Sequence, residues 1–263
     1  MFEVDPAGRA TQAVPLTGLG RFEHEAAAVD PWTGNVYLSE DASSPNGLFY
    51  KFVPNDRRRR YGSLQAGGKL YAMKAADLVD LSQVTKVGTS LPVRWVPVPN
   101  ADPDIAGGQP RTRSQFTTEI TRSKKFEGLW WGGGQVWINC SFAKTPADVS
   151  NVGTPHEGQV WSYDPRRERL TLHVRFEPGG LFDGPDNLTV SPHGGGFLCE
   201  DGDGDQYVIY VDDRTKAFAF AKNRIEFDGG FQEFTGATFS PDGRYLFVNT
   251  QQPGTTYAIT GPW

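Results

Sequence analysis

Apolar and polar positions repeat one plan four times along the chain. Each copy has an acidic residue, a short apolar segment, a tight turn and a second apolar segment that ends in polar residues. The acidic residues that open the copies are Glu25, Glu127, Asp186 and Glu233. Two of the turns share the pattern Ser-Pro-x-Gly, at 191–194 and 240–243. Short apolar segments joined by such turns predict antiparallel strands.

A third apolar segment follows every copy, and a fourth follows two of them. The third segments span 47–54, 158–165, 206–213 and 255–260, and the fourth span 170–176 and 216–221. A unit of about 40–50 residues with four strands is the signature of a β-propeller blade. The sequence therefore predicts an all-β propeller with about four recognisable blades. The first interval is about two blades long, so it holds either a degenerate blade or a large insertion, within which 72–81 predicts a short helix.

Propeller geometry predicts where the acidic residues meet. The first strand of each blade lines the central channel, so the four opening residues are expected to converge on one axis. The second strands end at the same face, which brings further polar residues to the rim of this funnel: Glu40, Asp41, Asn139, Cys140, Glu200, Asp201 and Asn249. Carboxylates this close together need compensating cations or protons. Oxygen-rich clusters of this kind suit hard cations such as calcium.

Three other local features leave alternatives open. Cys140 and Cys199 are predicted at equivalent places, at the ends of second strands. They could be two buried thiols, a disulfide or soft metal ligands. The basic run at 57–60 is interpreted as a solvated surface loop rather than a phosphate-binding funnel. The loop at 201–205 looks like the start of a calcium loop, but Gln206 stands where an EF-hand requires glycine. We interpret that loop as a hairpin connection.

Composition narrows the function classes. A chain of 263 residues can form one β-rich domain, so we expect a single domain over 1–263. The net charge of −5 gives no support for nucleic-acid binding. No apolar run is long enough to cross a membrane, and the first residues lack the basic-then-apolar pattern of a signal peptide, so we expect none in this polypeptide. The sequence has no Gly-x-Ser-x-Gly, His-Glu-x-x-His or Walker motif, so hydrolysis would have to depend on metals and carboxylates.

Four motifs, taken in order, resemble the PhoX-type alkaline phosphatases, a family of secreted bacterial enzymes. They are Gly20-Arg-Phe-x-His-Glu25, Phe126-Glu-Gly128, Pro185-Asp-Asn187 and the long segment from Glu233 to Gly254. The resemblance covers most of the chain. It implies a six-bladed propeller with calcium and ferric iron in its funnel, which hydrolyses phosphate monoesters.

The resemblance also implies roles for individual residues. The implied metal ligands are Glu25, Asp41, Glu127, Asp186, Asn187, Glu200, Asp201 and Glu233. The implied catalytic residues are Arg21 and Lys125, which would contact phosphate, together with Glu127. Where this chain has Lys125, the family often has an arginine. The resemblance implies a protein of the periplasm or the extracellular space. We expect a monomer that acts on small phosphorylated substrates.

Two alternatives remain open beside the phosphatase. In the family, a segment with a cysteine and glutamates that bind iron precedes the part matched here. We therefore expect this chain to be the C-terminal portion of a longer propeller with an incomplete iron site. It would then act as a calcium-stabilised binding module without turnover. The other alternative is a lactonase or phosphotriesterase type of propeller hydrolase.

Overall fold

The fold is all-β. The computed structural model describes residues 1–8, 12–43, 45–104, 111–144 and 154–261. In chain order, the strands begin with β1 (His24–Val29), β2 (Val36–Glu40), β3 (Gly47–Pro54), β4 (Gly68–Ala75), β5 (Ser90–Pro97) and β6 (Arg122–Ser123). The next are β7 (Phe126–Gly132), β8 (Gln135–Cys140), β9 (Gly158–Asp164) and β10 (Arg169–Phe176).

The second half of the chain adds nine strands. They are β11 (Pro185–Val190), β12 (Gly196–Glu200), β13 (Tyr207–Val211), β14 (Ala217–Lys222), β15 (Glu226–Phe227), β16 (Gly230–Phe231), β17 (Phe234–Phe239), β18 (Tyr245–Thr250) and β19 (Thr255–Thr260). Short 3-10 helices lie at Thr17–Leu19, Leu64–Ala66, Leu81–Gln83 and Thr112–Gln115. Within the described residues, no helix is long and apolar enough to cross a membrane.

The strands form the blades of a β-propeller, as the repeats predict. Antiparallel meanders run β1–β2–β3–β4, β7–β8–β9–β10, β11–β12–β13–β14 and β17–β18–β19. The first strands of consecutive blades pack side by side, β1 against β7, β7 against β11 and β11 against β17. This side-by-side packing of first strands is the arrangement that lines a propeller axis.

The long first interval is an insertion, not a degenerate blade. It supplies β4 and then β5, which pairs with β4 and also with β10, so that the outer edges of the first two blades share one sheet. The predicted helix at 72–81 is wrong. Residues Ala72–Ala75 belong to β4, where β3 and β5 pair with both edges of the strand. This tertiary pairing overrides a weak local helical pattern, and only the short Leu81–Gln83 turn is helical.

A β-bulge interrupts three first strands at the predicted acidic residue. In β1 the pair His24–Glu40 is followed by Ala27–Leu38, so two residues, Glu25 and Ala26, oppose one. The same shift places Glu127 in the bulge of β7 and Asp186 in the bulge of β11. A bulge bends the strand and redirects a side chain out of the ladder. The backbone thus turns these three carboxylates away from regular strand positions.

Hydrophobic cores lie between neighbouring blades and fix their spacing. One core joins the first two blades through large residues such as Tyr37, Phe49 and Trp161. Near the axis the blades approach more closely, because a Cβ on Gly128 would lie only 2.7 Å from the backbone oxygen of Asp186. Glycine at this position therefore lets the second and third blades bring their acidic residues together.

Candidate metal centre

Five predicted carboxylates converge at one end of the first strands. Carboxylate oxygens of Glu25, Glu127 and Asp186 all lie within 4.8 Å of one another. A second group with the same spacing joins Asp186 to Asp201 and Glu233. Asp186 belongs to both groups. The structure therefore contains two overlapping sets of oxygen donors.

Glu233 reaches this cluster from a different strand position than the other three opening residues. The residue after each second strand donates its amide to a carbonyl just before the first strand: Asp41 to Glu23, Ser141 to Lys125, Asp201 to Gly184 and Gln251 to Glu233. Glu233 thus corresponds to Glu23 and Lys125. The predicted equivalence of Glu233 with Glu25 is wrong, because the fourth blade starts two residues later in the repeat.

Lys125 is the cation placed against the cluster. Its Nζ atom lies 3.0 Å from Oε1 of Glu127 and 3.7 Å from Oδ1 of Asp41. Burial alone would lower the pKa of Lys125, but the carboxylates of Glu127, Asp41 and Asp201 together raise it. The ammonium group is therefore charged at neutral pH. It compensates one carboxylate of a larger group.

The carboxylates hold protons more tightly than usual. Burial raises the pKa of Glu127 to about 9, with a further increase from Asp186 and Asp41, while Lys125 acts in the opposite direction. Burial also raises the pKa of Asp186 to about 7, and here Glu25, Glu233 and Asp201 contribute.

Glu233 and Glu25 show the same behaviour. Burial, with the neighbouring Asp201, raises the pKa of Glu233 to about 7. Burial and then Asp41 raise the pKa of Glu25. Like charges that face each other in a half-buried site favour either protonation or a bound cation.

Amide side chains hold Asp186 in place between the blades. Asn187 donates from Nδ2 to Oδ1 of Asp186 at 3.1 Å, and its own Oδ1 accepts from Thr235 and from the amide of Gly236. Asn139 donates to the backbone oxygen of Asp186 at 2.8 Å. The Oδ1 atom of Asn139 is buried without a hydrogen-bond partner. These amides link the second, third and fourth blades at the cluster.

Two residues from the implied site make contacts outside the two carboxylate groups. Glu200 accepts the amides of Asp183 at 2.7 Å and Tyr207 at 2.8 Å, one with each carboxylate oxygen. Arg21 donates from Nε to Oδ1 of Asp102 at 2.7 Å. Asn187 lies beside the cluster, but its Oδ1 is engaged by the fourth blade. The roles implied for these residues stay predictions.

The cysteines do not hold equivalent places. Cys140 pairs with Phe126, whereas the residue that pairs with Pro185 at the matching position is Glu200. Cys199 therefore lies one residue earlier in its strand, and its side chain points to the other face. Both thiols are free and buried. Burial raises the pKa of the Cys199 thiol to about 12, and neither sulfur belongs to the two carboxylate groups.

Sequence reasoning missed a buried arginine beneath the rim. Arg113 comes from the connection after β5, and its Nη1 donates to Glu40 and, at 2.6 Å, to Glu23. Arg111 forms a second ion pair with Glu23 at 2.8 Å. Arg113 and Glu40 are both almost completely buried. Their separation of 73 residues gives no local pattern that could have revealed the pair.

Comparison with known proteins identifies one family. The family described as alkaline phosphatase PhoX has a model that matches residues 1–254. A search of curated proteins gives no significant match.

Solved structures give distant similarities. A chain of a nidogen/laminin complex is 11% identical with a TM-score of 0.47, and the match covers 90% of this chain and 60% of that one. A periplasmic gluconolactonase of Pseudomonas aeruginosa is 14% identical with a TM-score of 0.44, covering 89% and 68%. A putative gluconolactonase is 12% identical with a TM-score of 0.39, covering 99% and 87%. These scores carry no functional argument, and the propeller assignment follows from the strand topology.

Proposed function

The chain belongs to the alkaline phosphatase PhoX family, and we propose that it hydrolyses phosphate monoesters at the carboxylate cluster. The observation that supports this proposal most directly is the pair of overlapping carboxylate groups that share Asp186. The family is metal-dependent, and a cluster of oxygen donors is what a metal-dependent hydrolase requires.

The donor set fits hard cations. Every side chain in the two groups is a carboxylate, and the orphaned amide oxygen of Asn139 lies buried close by. Calcium prefers such oxygen donors. Ferric iron would also have to bind through oxygen among the described residues, since Cys140 and Cys199 lie outside both groups. When bound, calcium and iron would hold phosphoryl oxygens and neutralise the charge that develops during hydrolysis.

The proposed ligands follow the geometry. Glu25, Glu127 and Asp186 would hold one cation, and Asp186, Asp201 and Glu233 another. Asp41 stands beside the first group through its contact with Lys125. Glu200 would act indirectly, because it positions the backbone at Asp183 and Tyr207.

Lys125 would attract and orient the phosphate of the substrate. Its charged Nζ lies at the cluster and is partly exposed, and an ammonium group binds phosphate as a point charge rather than through a planar fork. Glu127 would keep this ammonium in place through their 3.0 Å ion pair. Arg21 would bind phosphate only after leaving Asp102, a small cost because exposed ion pairs contribute about 0–1 kcal/mol.

Other properties belong to the same proposal. Members of the family are typically secreted, and we place this protein in the periplasm or outside the cell. We propose that it acts as a monomer on small phosphorylated substrates. Nucleic acids and membranes are not expected partners of this mildly acidic chain.

The test is phosphate release from p-nitrophenyl phosphate by the purified protein supplied with calcium and ferric iron. We expect Lys125→Met to lower kcat/KM by roughly 10- to 100-fold, the usual loss for a charged hydrogen bond to a substrate. Lys124→Met is the matched control, because it removes the neighbouring lysine, whose Nζ lies over the ring of Phe142. Equal losses for the two variants would contradict the role of Lys125.

The same assay separates the alternatives. Absence of phosphate release from any simple monoester, with metals bound, would exclude the phosphatase. Hydrolysis of a lactone or a phosphodiester under those conditions would identify the other class of propeller hydrolase. Metal binding without any turnover would identify a binding module.

A further inference from the structure

A second charged pocket lies at the opposite end of the first blade from the carboxylates. Its volume is about 330 Å³. The floor is apolar, with Val36 from the start of β2, Pro54 from the end of β3 and Leu64. The rim carries three arginines from the loop between β3 and β4: Arg57, Arg59 and Arg60. The pocket thus combines an apolar base with a cationic edge.

The four arginines of this loop are exposed, as the sequence predicts, but the loop itself is attached to the blade. Arg59 donates from Nη1 to the backbone oxygen of Pro31 in the turn after β1. The amide of Gly62 donates to Glu3 at 2.9 Å. The backbone of Arg57 packs against Gly34, where an added Cβ would lie 3.9 Å from its carbonyl oxygen. The loop therefore presents its arginines from a defined surface.

The positive charge at this rim is only partly compensated. Asp56 also lines the pocket, but Arg58 binds both of its oxygens, at 2.8 Å and 2.7 Å. Glu3 is engaged by the amide of Gly62. Within the part of the chain that the structure describes, no hydrogen bond or ion pair engages the guanidinium groups of Arg57 and Arg60. The rim keeps an excess of positive charge in a protein of net charge −5.

A larger cavity between the second and third blades lacks this feature. Its volume is about 600 Å³, and its charged lining residues are Asp212 and Asp213. Asp212 already accepts the amides of Arg214 and Lys216, and Asp213 accepts the amide of Gly195. These carboxylates stabilise turns, and no arginine or lysine is among the described residues that line this cavity.

We infer that the pocket of the first blade binds a small amphiphilic anion, with one sulfate-, phosphate- or carboxylate-type head and a short apolar chain. Arg57 and Arg60 would hold the head, and Val36, Pro54 and Leu64 would cover the chain. A volume near 300 Å³ is at the lower end for ligand pockets, which fits a single short chain. The site lies at the far end of the strands from the carboxylate cluster, so it is independent of the proposed hydrolysis.

The test is isothermal titration with octyl sulfate below its micelle concentration. A sulfate ester is not a phosphate monoester, so turnover at the carboxylates does not interfere. We expect saturable binding with a stoichiometry of one. Affinity should increase from ethyl to octyl sulfate, by up to roughly fourfold for each methylene that becomes buried. Octyltrimethylammonium, which has the same chain and the opposite charge, should not bind.

Matched variants distinguish binding in the pocket from attraction by the overall positive charge of this face. Arg57→Ser/Arg60→Ser should weaken octyl sulfate binding at least tenfold. Arg214→Ser/Lys216→Ser removes the same charge from the turn between β13 and β14 at the same end of the blades, outside the pocket lining. This control should stay within about twofold of the unaltered protein. Arg58 is kept in both variants, because its removal would uncover Asp56.

Three results would overturn the inference. Equal weakening by the two double variants would show that only the overall field attracts the anion. Equal binding of ethyl and octyl sulfate would show that the apolar floor is unused. Binding of a long polyanion such as heparin, without binding of octyl sulfate, would show an extended surface in place of a pocket. Melting temperatures of both variants within a few degrees of the unaltered protein establish that each is folded.

Discussion

Two sets of carboxylates lie at the same end of the blades, one at the ends of second strands and one in first strands. Glu40 and Glu200 stand at the ends of second strands. Glu25, Glu127 and Asp186 stand in the bulges of first strands. Burial raises the pKa of all five. The two sets differ in the groups that contact each carboxylate.

The second-strand carboxylates are satisfied by the protein itself. Glu40 accepts from Arg113, from the hydroxyl of Tyr50 and from the amide of Leu48. Glu200 accepts two backbone amides. These donors stabilise the charged form and lower the pKa against the effect of burial. Such groups connect strands and leave little capacity for a ligand.

The first-strand carboxylates face one another instead. Each neighbour raises the pKa of the next, and Lys125 is the cation at hydrogen-bond distance among the described residues. Carboxylates that face one another and outnumber the cations beside them favour a bound external cation or protons. The comparison therefore separates carboxylates that hold the fold from carboxylates suited to a metal.

The largest effect is expected from removal of Arg113. Arg113→Leu leaves Glu40 buried without its cation, a change that typically costs about 3–5 kcal/mol of the free energy of unfolding. Urea denaturation measures this loss. The control is Arg111→Leu, which breaks a partly exposed ion pair with Glu23 and should cost at most about 1 kcal/mol.

A second variant separates the lost charge pair from lost packing. Glu40→Gln in the Arg113→Leu background removes the uncompensated charge, so part of the stability should return. A double variant as unstable as Arg113→Leu alone would contradict the assignment of Glu40 to the fold.

Calcium should have the next largest effect on the free energy of unfolding, and the size of this effect should depend on pH. The raised pKa values of Glu127 at about 9 and of Asp186 and Glu233 at about 7 mean that the folded protein keeps protons that the unfolded chain releases near pH 4. Without metal, the free energy of unfolding should therefore fall as pH rises from about 5 to about 9. Calcium at 100 times its dissociation constant adds about 2.7 kcal/mol, or roughly 5–10 °C in melting temperature.

The calcium shift should be larger at pH 8.5 than at pH 5, because at pH 5 the ion must displace protons. Differential scanning fluorimetry at both pH values measures it. Sodium chloride at the same ionic strength controls for screening. A calcium shift of the same size at both pH values would show that the cluster is not the binding site.

The sequence was sufficient for the blades and for the meeting of their acidic residues. Apolar segments joined by Ser-Pro-x-Gly turns predict the hairpins, and the topology then brings Glu25, Glu127 and Asp186 to one axis. The position of Glu233 was not predictable, because the shifted start of the fourth blade depends on its pairing with β18. Strand register of this kind is set by tertiary contacts, which no single segment encodes.

The insertion shows the same limit for local patterns. Residues 72–75 look helical alone, but their place between β3 and β5 makes them a strand. The ion pair of Arg113 with Glu40 also depends on a fold that brings a distant loop under the rim. The charge of the 57–60 run was visible in the sequence. The apolar floor beneath it was not, because that floor joins three separate segments.

The smallest expected change in stability comes from Asp186→Asn, and its sign is opposite to that of Arg113→Leu. At pH 8 this substitution removes one charge that repels Glu25, Glu233 and Asp201. The amide oxygen can still accept from Asn187. We expect the metal-free protein to become more stable by about 1 kcal/mol, or roughly 2–4 °C. Because both donor groups share Asp186, the calcium shift should fall to less than half.

Asp203→Asn is the matched control, because Asp203 lies in the nearby loop but is highly exposed and pairs with Lys144. This substitution should change the metal-free melting temperature by less than about 1 °C, as expected of an exposed ion pair. The calcium shift should stay the same. If Asp186→Asn instead destabilised the metal-free protein and kept the full calcium shift, Asp186 would belong with Glu40 and Glu200. The separation between carboxylates of the fold and carboxylates of the metal centre would then fail at its central residue.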